Sequence, residues 1–581
     1  MGQTSDAGSY PPFDRKFFEQ DEDFTVIGGG DLGGKALGLA TIKRVISQAC
    51  PPGAVAGITV GIPRLTVLGT DVFEQFLAQG ALLDTALADL PDERIAHAFL
   101  QAELPPLIVG DLRALIAQVH TPLAVRSSSL LEDALQHPFA GVYATKLIPN
   151  NETAIGDRFR KLVEAIKFVW ASTFFGDAKR YMRMIGRPVG QERMAVIIQE
   201  VVGERFGDRF YPIVSGVIRS HNYYPSGPAR SEDGVVNLAL GLGRTIVDGG
   251  VTWTYSPRFP GHHPPYGSVR DVLKNTQTRF WAVGMTPAPY DPVNEAECLV
   301  QQGLDTAEED DVLRWTASTY DVGSDRLKLG TGQAGPRVLT FGPLLELGEV
   351  RLNDVVVRLV QACQETLGAD VEIEFAMTLD RRRGVPARFG FLQVRPMMVA
   401  DEQVEVDEAE LRGERALVAS ETVLGNGENE VLTDVVYVRP EVFEARHTVA
   451  IAGELEALNH GLVAAGRLYA LIGFGRWGSS DPWLGIPVTW PQISGARVIV
   501  EATLPDMNVD ASQGSHFFHN MISFRVQYFT VHHAGARGID WAWLDAQAAE
   551  EETRFVRHVR LAAPLRVRVD GRRGRGVILR A

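Results

Sequence analysis

The chain has 581 residues, a formal net charge of −15, 45% hydrophobic residues and 22% charged residues. This length predicts two or three domains, and the composition is that of a globular protein rather than a disordered one. The negative charge argues against a nucleic-acid partner, and no apolar run reaches the ~20 residues that a membrane span needs. The three cysteines, Cys50, Cys298 and Cys363, follow no metal-binding spacing and predict buried thiols in a reducing cytoplasm.

A glycine turn near the N-terminus is the first feature with a chemical pattern. A strand is predicted over residues 24–27 and a helix over 35–49, and the turn between them, 28–35, partly matches both the dinucleotide fingerprint and the Walker A loop. Ala36 stands where Walker A needs Ser or Thr, and the candidate second strand, 54–60, lacks the acidic residue of a dinucleotide fold. What remains can present N–H groups and an ammonium to phosphate, or can be an ordinary strand–turn–helix.

Beyond this turn, apolar runs of strand length alternate with helical patterns. The runs lie at residues 123–125, 194–198, 213–218, 235–240, 371–376 and 389–394. This alternation predicts an α/β and α+β multidomain architecture. Residues 255–270 are rich in Pro, Gly and His and predict a loop, whereas the acidic stretch 401–415 predicts the main domain boundary, after Pro396.

Several predicted strands carry polar residues suited to phosphate chemistry. Arg126 directly follows an apolar run and precedes three serines and an acidic pair. Glu372 and Glu374 alternate along one strand and therefore share a face, and Gln393 and Arg395 do the same on the next. A solvent-facing strand would show the same alternation, so the pattern alone assigns no role.

Taken in chain order, these motifs resemble the N-terminal ATP-grasp domain of the phosphoenolpyruvate synthase and pyruvate phosphate dikinase family. That family shows a Gly-Gly-Lys near its start, an Ala-Val-Arg-Ser-Ser strand end, an Asp-Ile-Glu strand and a Gln-x-Arg-Pro strand. The corresponding places here hold Lys35, Arg126, Glu374 and Arg395. The resemblance implies an ATP-grasp nucleotide-binding domain over residues 1–400, with a poorly matched insert at 255–345.

The resemblance also implies which residues bind ATP. Phosphate contact and catalysis would fall to Lys35, Arg126 and Arg395, beside Gly33 and Gly34. An arginine fork can hold two phosphate oxygens in one plane, which a lysine cannot.

A metal and the nucleoside would occupy the rest of this site. Glu374 and Gln393 would bind Mg²⁺, which prefers oxygen ligands, and Glu372 would support them or bind ribose. Adenine would meet the backbone around Gln199 and Val201. The loop at 135–138, Leu-Gln-His-Pro, departs from the shorter polar residues expected there and could shape access to the site.

The remaining residues, 415–581, resemble the small swivelling domain that follows in this family. Residues 418–443 are similar to its opening strands, and 496–518 is faintly similar to the strand and loop that carry its phosphohistidine, so His516 would be the phosphocarrier. Gly514 and the two phenylalanines after His516 depart from the family loop, and a core or turn histidine is the alternative. The ~250 residues of the family's pyruvate barrel are not expected in what remains.

Two further segments allow two readings each. Trp477, Trp483 and Trp490 lie in a glycine-rich segment and would either line an acceptor site or pack beneath the turn. Residues 560–580 contain seven arginines and predict a solvated hairpin turning at Asp570, with an anion-binding tail as the alternative.

The sequence therefore predicts a cytoplasmic, ATP- and Mg²⁺-dependent phosphotransferase of the dikinase type. It would cleave ATP to AMP plus phosphate or pyrophosphate and phosphorylate a small-molecule acceptor, with or without a phosphohistidine. The alternatives are an ATP-grasp ligase or simple kinase that yields ADP, and a non-catalytic nucleotide sensor. The full set of phosphate and metal residues favours catalysis. Homo-oligomerisation and the identity of the acceptor are left open.

Overall fold

The structure is a computed structural model that divides the chain into two compact units. It describes residues 10–15, 22–132, 141–262, 264, 268–348, 350–379, 385–397, 404–479, 481–504, 515–533, 538–571 and 573–581. The first unit comprises Met1–Ser220, Val236–Thr245 and Trp253–Met397. The second comprises His221–Val235, Ile246–Thr252 and Met398–Ala581.

Strands and short helices alternate from Phe24 to Met397. The strands are β1 (Phe24–Ile27), β2 (Ile58–Gly61), β3 (Leu65–Leu68), β4 (Leu123–Ser129), β5 (Thr145–Ile148), β6 (Met194–Glu200), β7 (Glu204–Phe206), β8 (Arg209–Tyr211), β9 (Val214–Arg219), β10 (Val235–Ala239), β11 (Trp253–Tyr255), β12 (Arg279–Gly284), β13 (Leu299–Gly303), β14 (Ala317–Asp321), β15 (Arg326–Leu329), β16 (Arg337–Leu339), β17 (Asp370–Thr378) and β18 (Ala387–Met397). The helices are α1 (Gly33–Ala49), α2 (Thr70–Gln79), α3 (Leu83–Leu87), α4 (Asp92–Gln101), α5 (Pro106–Gln118), α6 (Ile155–Ser172), α7 (Gly176–Met184), α8 (Arg244–Val247), α9 (Val269–Lys274), α10 (Leu304–Glu309), α11 (Leu313–Thr316), α12 (Gly342–Leu345) and α13 (Leu352–Leu367).

Two sheets organise the first unit. The first sheet has the strand order β1-β3-β6-β4-β5, and the second sheet has the order β11-β10-β9-β17-β18-β2. Every strand predicted from an apolar run is present within these two sheets. The poorly matched insert contributes mainly smaller sheets, β13-β12-β8-β7 and β15-β14-β16. The expected α/β and α+β multidomain fold class is confirmed.

Helix α1 packs against both sheets of the first unit. Its apolar stripe, which includes Leu39, Ile42 and Ile46, is buried in the main core, and the helix contacts β4 of the first sheet and β18 of the second. Burying each such side chain contributes about 1.5–3 kcal/mol before the entropy of ordering is subtracted. This packing fixes the first turn of α1, which carries Lys35, beside strands of both sheets.

The second unit also mixes strands and helices. Its strands are β19 (Ala416–Ser420), β20 (Val423–Leu424), β21 (Gly427–Asn429), β22 (Asp434–Val438), β23 (Tyr469–Phe474), β24 (Arg476–Trp477), β25 (Gly485–Ile486), β26 (Ala496–Ala502), β27 (Gln527–Val531), β28 (Ala549–Glu552), β29 (Val556–Arg560), β30 (Arg566–Asp570) and β31 (Arg575–Leu579). Its helices are α14 (Glu408–Arg412), α15 (Thr448–Ala464), α16 (His516–Ser523) and α17 (Trp541–Asp545).

Two sheets of the second unit pack face to face. One has the order β20-β27-β26-β23-β22-β29-β28, and the other has the order β19-β31-β30-β21. Their shared core joins residues such as Val435, Val500 and Val567. Strands β22, β23, β26 and β27 run parallel, so α15 and α16 are crossover helices within this sheet. The arginine-rich end forms the antiparallel hairpin β30–β31, which confirms the hairpin prediction.

In the part of the chain that the structure describes, no helix combines the length and the apolar character that crossing a membrane requires.

Candidate active site

The first glycines of the N-terminal turn make a tight turn against helix α2. Gly28 and Gly30 have φ of +80° and +78°, a region that favours glycine. A Cβ on Gly30 would lie 2.5 Å from Oγ1 of Thr70, and the N–H of Asp31 donates to that same oxygen at 2.8 Å. These two glycines therefore fit the turn to α2, which explains why the segment matches phosphate-binding patterns without satisfying them.

The next two glycines let α1 approach the end of β4. Gly33 has a φ of +77°, and a Cβ there would lie 1.9 Å from the carbonyl oxygen of Ser128. A Cβ on Gly34 would lie 1.9 Å from the carbonyl oxygen of Glu132. The hydroxyl of Ser128 also accepts a hydrogen bond from the N–H of Ala36 at 3.1 Å, which satisfies one donor of the first helical turn. Gly33 and Gly34 thus fix Lys35 against the serine segment.

The Lys35 ammonium is paired with a buried carboxylate. Its Nζ lies 2.7 Å from Oε1 of Glu132 and donates to Oγ of Ser127 at 3.3 Å. Sequence reasoning noticed the acidic pair after the serines but gave Glu132 no role. Only long-range packing reveals it, because 97 positions separate the two residues.

A second buried carboxyl group, that of Glu192, lies close to Glu132. Burial raises the pKa of Glu192 to about 7, the Ser129 hydroxyl opposes this by hydrogen bonding, and the charge of Glu132 adds to it. The charges of Arg187 and Arg193 lower this pKa. The neighbourhood of Lys35 therefore contains a group that titrates near neutral pH.

Arg126 joins the first sheet to the second. One Nη1 atom donates to Oε1 of Gln199 at 3.2 Å and to the carbonyl of Leu392 at 3.0 Å. Its Nη2 atom donates to Oε1 of Gln393 at 2.8 Å. The guanidinium of Arg126 extends from β4 and contacts β18. Residues far apart in the sequence, each predicted to belong to the site, are therefore in contact here.

Glu372 is enclosed by two arginines on the second sheet. It is the register partner of Arg219 on β9 and of Arg395 on β18, and its side chain is fully buried. Arg219 binds Oε2, and Nε of Arg395 donates to Oε1 at 2.6 Å. Because both oxygens are engaged, the geometry favours a role for Glu372 in holding Arg395; its binding of ribose stays a prediction. Sequence reasoning missed Arg219, although it directly follows the apolar run predicted over residues 213–218.

Glu374 and Gln393 are register partners on β17 and β18, as their proposed metal role requires. Nη2 of Arg126 lies 2.8 Å from Oε1 of Gln393 and 3.9 Å from Oε2 of Glu374. The two oxygens are thus closer than the roughly 8 Å beyond which one ion with ~2.1 Å bonds could not be shared. Within the described residues, Glu374 forms ion pairs of 3.9 Å with Arg126 and Arg395 and no hydrogen bond, so its carboxylate suits a metal.

The predicted adenine contacts lie on β6 and just after it. Gln199 is buried, its Oε1 accepts from Arg126, and its Nε2 has no hydrogen-bond partner among the described residues. The N–H of Glu200 donates to the carbonyl of Arg64, and that of Val201 donates to the carbonyl of Pro122, each at 2.9 Å. Carbonyl groups and the Gln199 amide are therefore what this edge can offer a base, and the adenine role stays a prediction.

These contacts gather Arg126, Arg395, Glu374 and Gln393 into one cluster, and Lys35 binds Ser127, the residue that follows Arg126 on β4. The cluster combines two guanidinium cations with the oxygens of a carboxylate and an amide. Such a set can neutralise a polyphosphate and hold its metal ion. The residues present therefore fit ATP and Mg²⁺.

His516 lies in the second unit, at the first position of α16. Ser515 caps this helix by accepting from the N–H of Phe518 at 3.2 Å, and His516 is half-buried. The rings of Phe517 and Phe518 are buried, and the centroid of the Phe518 ring lies 5.7 Å from that of the Tyr223 ring. The two phenylalanines thus belong to the core, which lessens the crowding that the sequence suggests. Gly514 lies outside the described residues, as do residues 135–138 of the N-terminal loop.

Two of the three tryptophans in the glycine-rich segment pack inside the second unit. Trp477 and Trp490 are buried, and Nε1 of Trp477 donates to the carbonyl of Val500 at 3.2 Å. The acceptor-lining interpretation is wrong for these two, because their rings fill the unit's interior. Trp483 is 70% exposed.

Within the described ranges, one group of side chains has the spacing of a metal site, Asp434, Glu550 and His558. The guanidinium of Arg467 already pairs with both carboxylates, at 2.6 Å from Glu550, and His558 lies 2.8 Å from Asp434. This arrangement is an ion-pair network in which a cation is already supplied.

Comparison with known proteins places the cluster in context. Residues 30–416 match the family described as "Pyruvate phosphate dikinase, AMP/ATP-binding domain". The chain is 28% identical over 235 residues to a rifampicin phosphotransferase of Streptomyces sviceus, covering 38% of this chain and 23% of that protein. It is 29% identical over 236 residues to a phosphoenolpyruvate synthase of Aeropyrum pernix, covering 38% and 26%.

A third relative is an uncharacterized phosphotransferase, YvkC, of Bacillus subtilis, 25% identical over 193 residues. That match covers 33% of this chain and 20% of YvkC. The matched segments thus span a fifth to about a quarter of these relatives' own length.

Proposed function

The chain belongs to the family of the AMP/ATP-binding domain of pyruvate phosphate dikinase, and on that premise we propose that it is an ATP-dependent phosphotransferase of the dikinase type. ATP would be cleaved to AMP in the cytoplasm, and one of the two phosphoryl groups released would pass to a small-molecule acceptor. The other would pass to water, which gives phosphate, or to inorganic phosphate as a co-substrate, which gives pyrophosphate. The observation that carries the proposal is the meeting of Arg126 and Arg395 with Glu374 and Gln393. Lys35 is held at Ser127, the residue that follows Arg126 on β4.

Each residue of the cluster has a separable task in this proposal. Lys35 and the two arginines bind phosphate oxygens and stabilise the charge that develops as a phosphate bond breaks. Glu374 and Gln393 would hold Mg²⁺, which supplies further neutralisation when it is bound. Glu372 keeps the Arg395 fork in one orientation, since that guanidinium is bound through Nε. Gln199 would orient the nucleoside.

We also propose that His516 carries the phosphoryl group. It stands at the N-terminus of a crossover helix that follows a parallel strand, where the helix dipole favours an anion. A neutral imidazole nitrogen is a competent nucleophile near pH 7. The phosphoryl group would leave ATP, form an N–P bond with this ring and then pass to the acceptor, which regenerates the free imidazole.

The nucleotide product tests the reaction type. We expect ³¹P NMR of the protein with MgATP and a panel of acceptors to show AMP together with phosphate or pyrophosphate. ADP as the sole nucleotide product would replace the dikinase proposal with a simple kinase or ligase. Nucleotide binding without any turnover across the panel would favour the sensor.

Labelling tests the histidine step separately. Incubation with β- or γ-labelled ATP should leave acid-labile, base-stable label on His516, and His516→Asn should lose the label while retaining ATP binding. His460, which is exposed on α15, provides the matched control as His460→Asn. Unchanged AMP formation in His516→Asn, with no histidine labelled, would replace the phosphohistidine with direct transfer.

A further inference from the structure

Hydrogen bonds to both carboxylate oxygens of Glu132 fix its side chain. Oε1 accepts from Lys35 at 2.7 Å and from the hydroxyl of Ser127 at 2.8 Å, and Oε2 accepts from the N–H of Ser129 at 2.9 Å. Its side chain is 1% exposed. A buried carboxylate that accepts several hydrogen bonds is held in one orientation.

The two partners of this ion pair differ in exposure. The Lys35 side chain is 14% exposed, whereas that of Glu132 is almost completely enclosed. The pair therefore differs from a core salt bridge, in which both charges are removed from the cleft. The Lys35 side chain thus keeps solvent access that the carboxylate of Glu132 lacks.

The donors of the ammonium show what this arrangement leaves for a ligand. A lysine ammonium has three N–H donors. Among the described residues, Lys35 uses two of these donors in hydrogen bonds, one to Glu132 and one to Ser127. The third is left for a phosphate oxygen, and its direction is set because the other two are fixed.

Backbone packing ties the carboxylate to the same helix turn. The carbonyl of Glu132 lies where a Cβ on Gly34 would be, at 1.9 Å, and Ser128 caps the N–H of Ala36. The segment 127–132 and the first turn of α1 thus form one rigid contact. A lysine on a flexible four-carbon stem loses much rotamer entropy on binding a ligand, and such a contact removes most of that loss beforehand.

We propose that Glu132 is a positioning residue for the nucleotide: with Ser127 it fixes the Lys35 ammonium so that the remaining N–H donor meets a phosphate oxygen. This inference rests on the proposed function, because it takes the phosphate chain of ATP as the ligand of Lys35. It assigns Glu132 no contact with ATP. Its effect on ATP passes through Lys35.

A double-mutant cycle tests that dependence. The Kd of MgATP is measured by calorimetry for the full-length protein, for Glu132→Gln, for Lys35→Gln and for the double variant. Glu132→Gln keeps the size of the side chain but removes its charge, and we expect it to raise the Kd about tenfold, the effect of one lost charge-assisted hydrogen bond. In the Lys35→Gln background the same change should raise the Kd less than twofold. Ser127→Ala should raise the Kd by a smaller factor than Glu132→Gln.

Equal weakening by Glu132→Gln in both backgrounds would overturn the proposal, because it would show that Glu132 shapes the site without acting through Lys35. An unchanged Kd of MgATP for Glu132→Gln in the protein that retains Lys35 would overturn it too. If the parent protein bound no MgATP, the proposed function itself would fail, and the second measurement would still decide the placement of Lys35.

That second measurement is lysine acylation followed by mass spectrometry, without nucleotide. In Glu132→Gln we expect Lys35 to be acylated several-fold faster than in the parent protein. Lys43, 38% exposed, gives the rate of an open lysine, and buried Lys146 reports unfolding. An unchanged Lys35 rate, or a Lys146 rate that rises equally, would contradict the placement of Lys35 by Glu132.

Discussion

Nη2 of Arg126 donates to Oε1 of Gln393 across 2.8 Å, although 267 positions separate the two residues. This hydrogen bond links β4 of the first sheet to β18 of the second. It brings the arginine predicted to bind phosphate to the amide predicted to bind metal. The proposed ATP site depends on this meeting, because the second sheet supplies Arg395, Glu374 and Gln393, whereas Arg126 comes from the first.

Replacing either arginine of the cluster should remove ATP turnover. We expect Arg126→Ala and Arg395→Ala to lower the rate of ATP consumption at least ~100-fold, since one preorganised charge partner contributes ~3 kcal/mol or more in the transition state. Arg160→Ala, at a side chain exposed on α6, is the control. Parental turnover in either folded variant, as judged by circular dichroism, would remove that arginine from the clamp.

The metal requirement should depend on β17 and β18. We expect Glu374→Ala and Gln393→Ala to raise the Mg²⁺ concentration that gives half-maximal ATP consumption, because each removes an oxygen ligand. Chelation with EDTA should abolish turnover of the parent protein. Glu365→Ala, at an exposed position on α13, should titrate like the parent. If the Mg²⁺ titrations of the two cluster variants also matched the parent, the ion would have to bind elsewhere.

Most strands of the two sheets could be predicted from the sequence because their apolar runs are local signals, whereas β3, β5 and β11 were not predicted. The alternation of Glu372 with Glu374 likewise predicted that they share a face of β17. Their different burial could not be predicted from this alternation, because the burial of Glu372 depends on Arg219, a long-range partner on β9. Glu132 was missed for the same reason.

The glycine turn shows a second limit of local patterns. From the sequence, these glycines could either expose the backbone to phosphate or belong to an ordinary strand–turn–helix. The structure shows that Gly28 and Gly30 fit the turn to α2, and that Gly33 and Gly34 fit α1 to the end of β4. The sequence shows that a residue is glycine, but only the fold shows which neighbouring atoms lie where its Cβ would be.

That packing role predicts a large stability difference between two glycines of equal φ. Gly33 and Gly57 both have a φ of +77°, but a Cβ on Gly57 meets nothing within 4 Å. Alanine at Gly57 should cost about 1–2 kcal/mol for its left-handed backbone alone. Gly33→Ala adds the clash with the Ser128 carbonyl, so we expect a clearly larger loss, about 3 kcal/mol or more. Urea denaturation of both variants measures it, and equal losses would refute the close approach.

Glu192 should make stability fall as the pH rises. Its pKa in the folded protein is about 7, above the usual carboxyl value of 4.5, so the folded state binds the proton more tightly. The stability from this protonated group is complete below about pH 4.5 and is lost as the pH rises through about 7. Between pH 5 and pH 8 we expect the free energy of unfolding to fall on the order of 2 kcal/mol further in the parent than in Glu192→Gln.

The matched control for this titration is Glu93→Gln, at an exposed position on α4, whose pH dependence should follow that of the parent. Urea midpoints at pH 5, 6, 7 and 8 provide the comparison. Parallel curves for the parent and Glu192→Gln would mean that Glu192 titrates in the folded protein as it does in the unfolded chain.

The central claim is that the cluster around Arg126 binds the phosphate chain of ATP, and calorimetry with a nucleotide series tests it most directly. The Kd is measured with Mg²⁺ for adenosine, AMP, ADP and ATP, in the parent protein and in Arg126→Ala. The account predicts that affinity rises with each added phosphate in the parent and that this rise largely disappears in Arg126→Ala, while adenosine binding is unchanged. Equal affinity for adenosine and ATP in the parent, or a phosphate dependence that survives in Arg126→Ala, would contradict it.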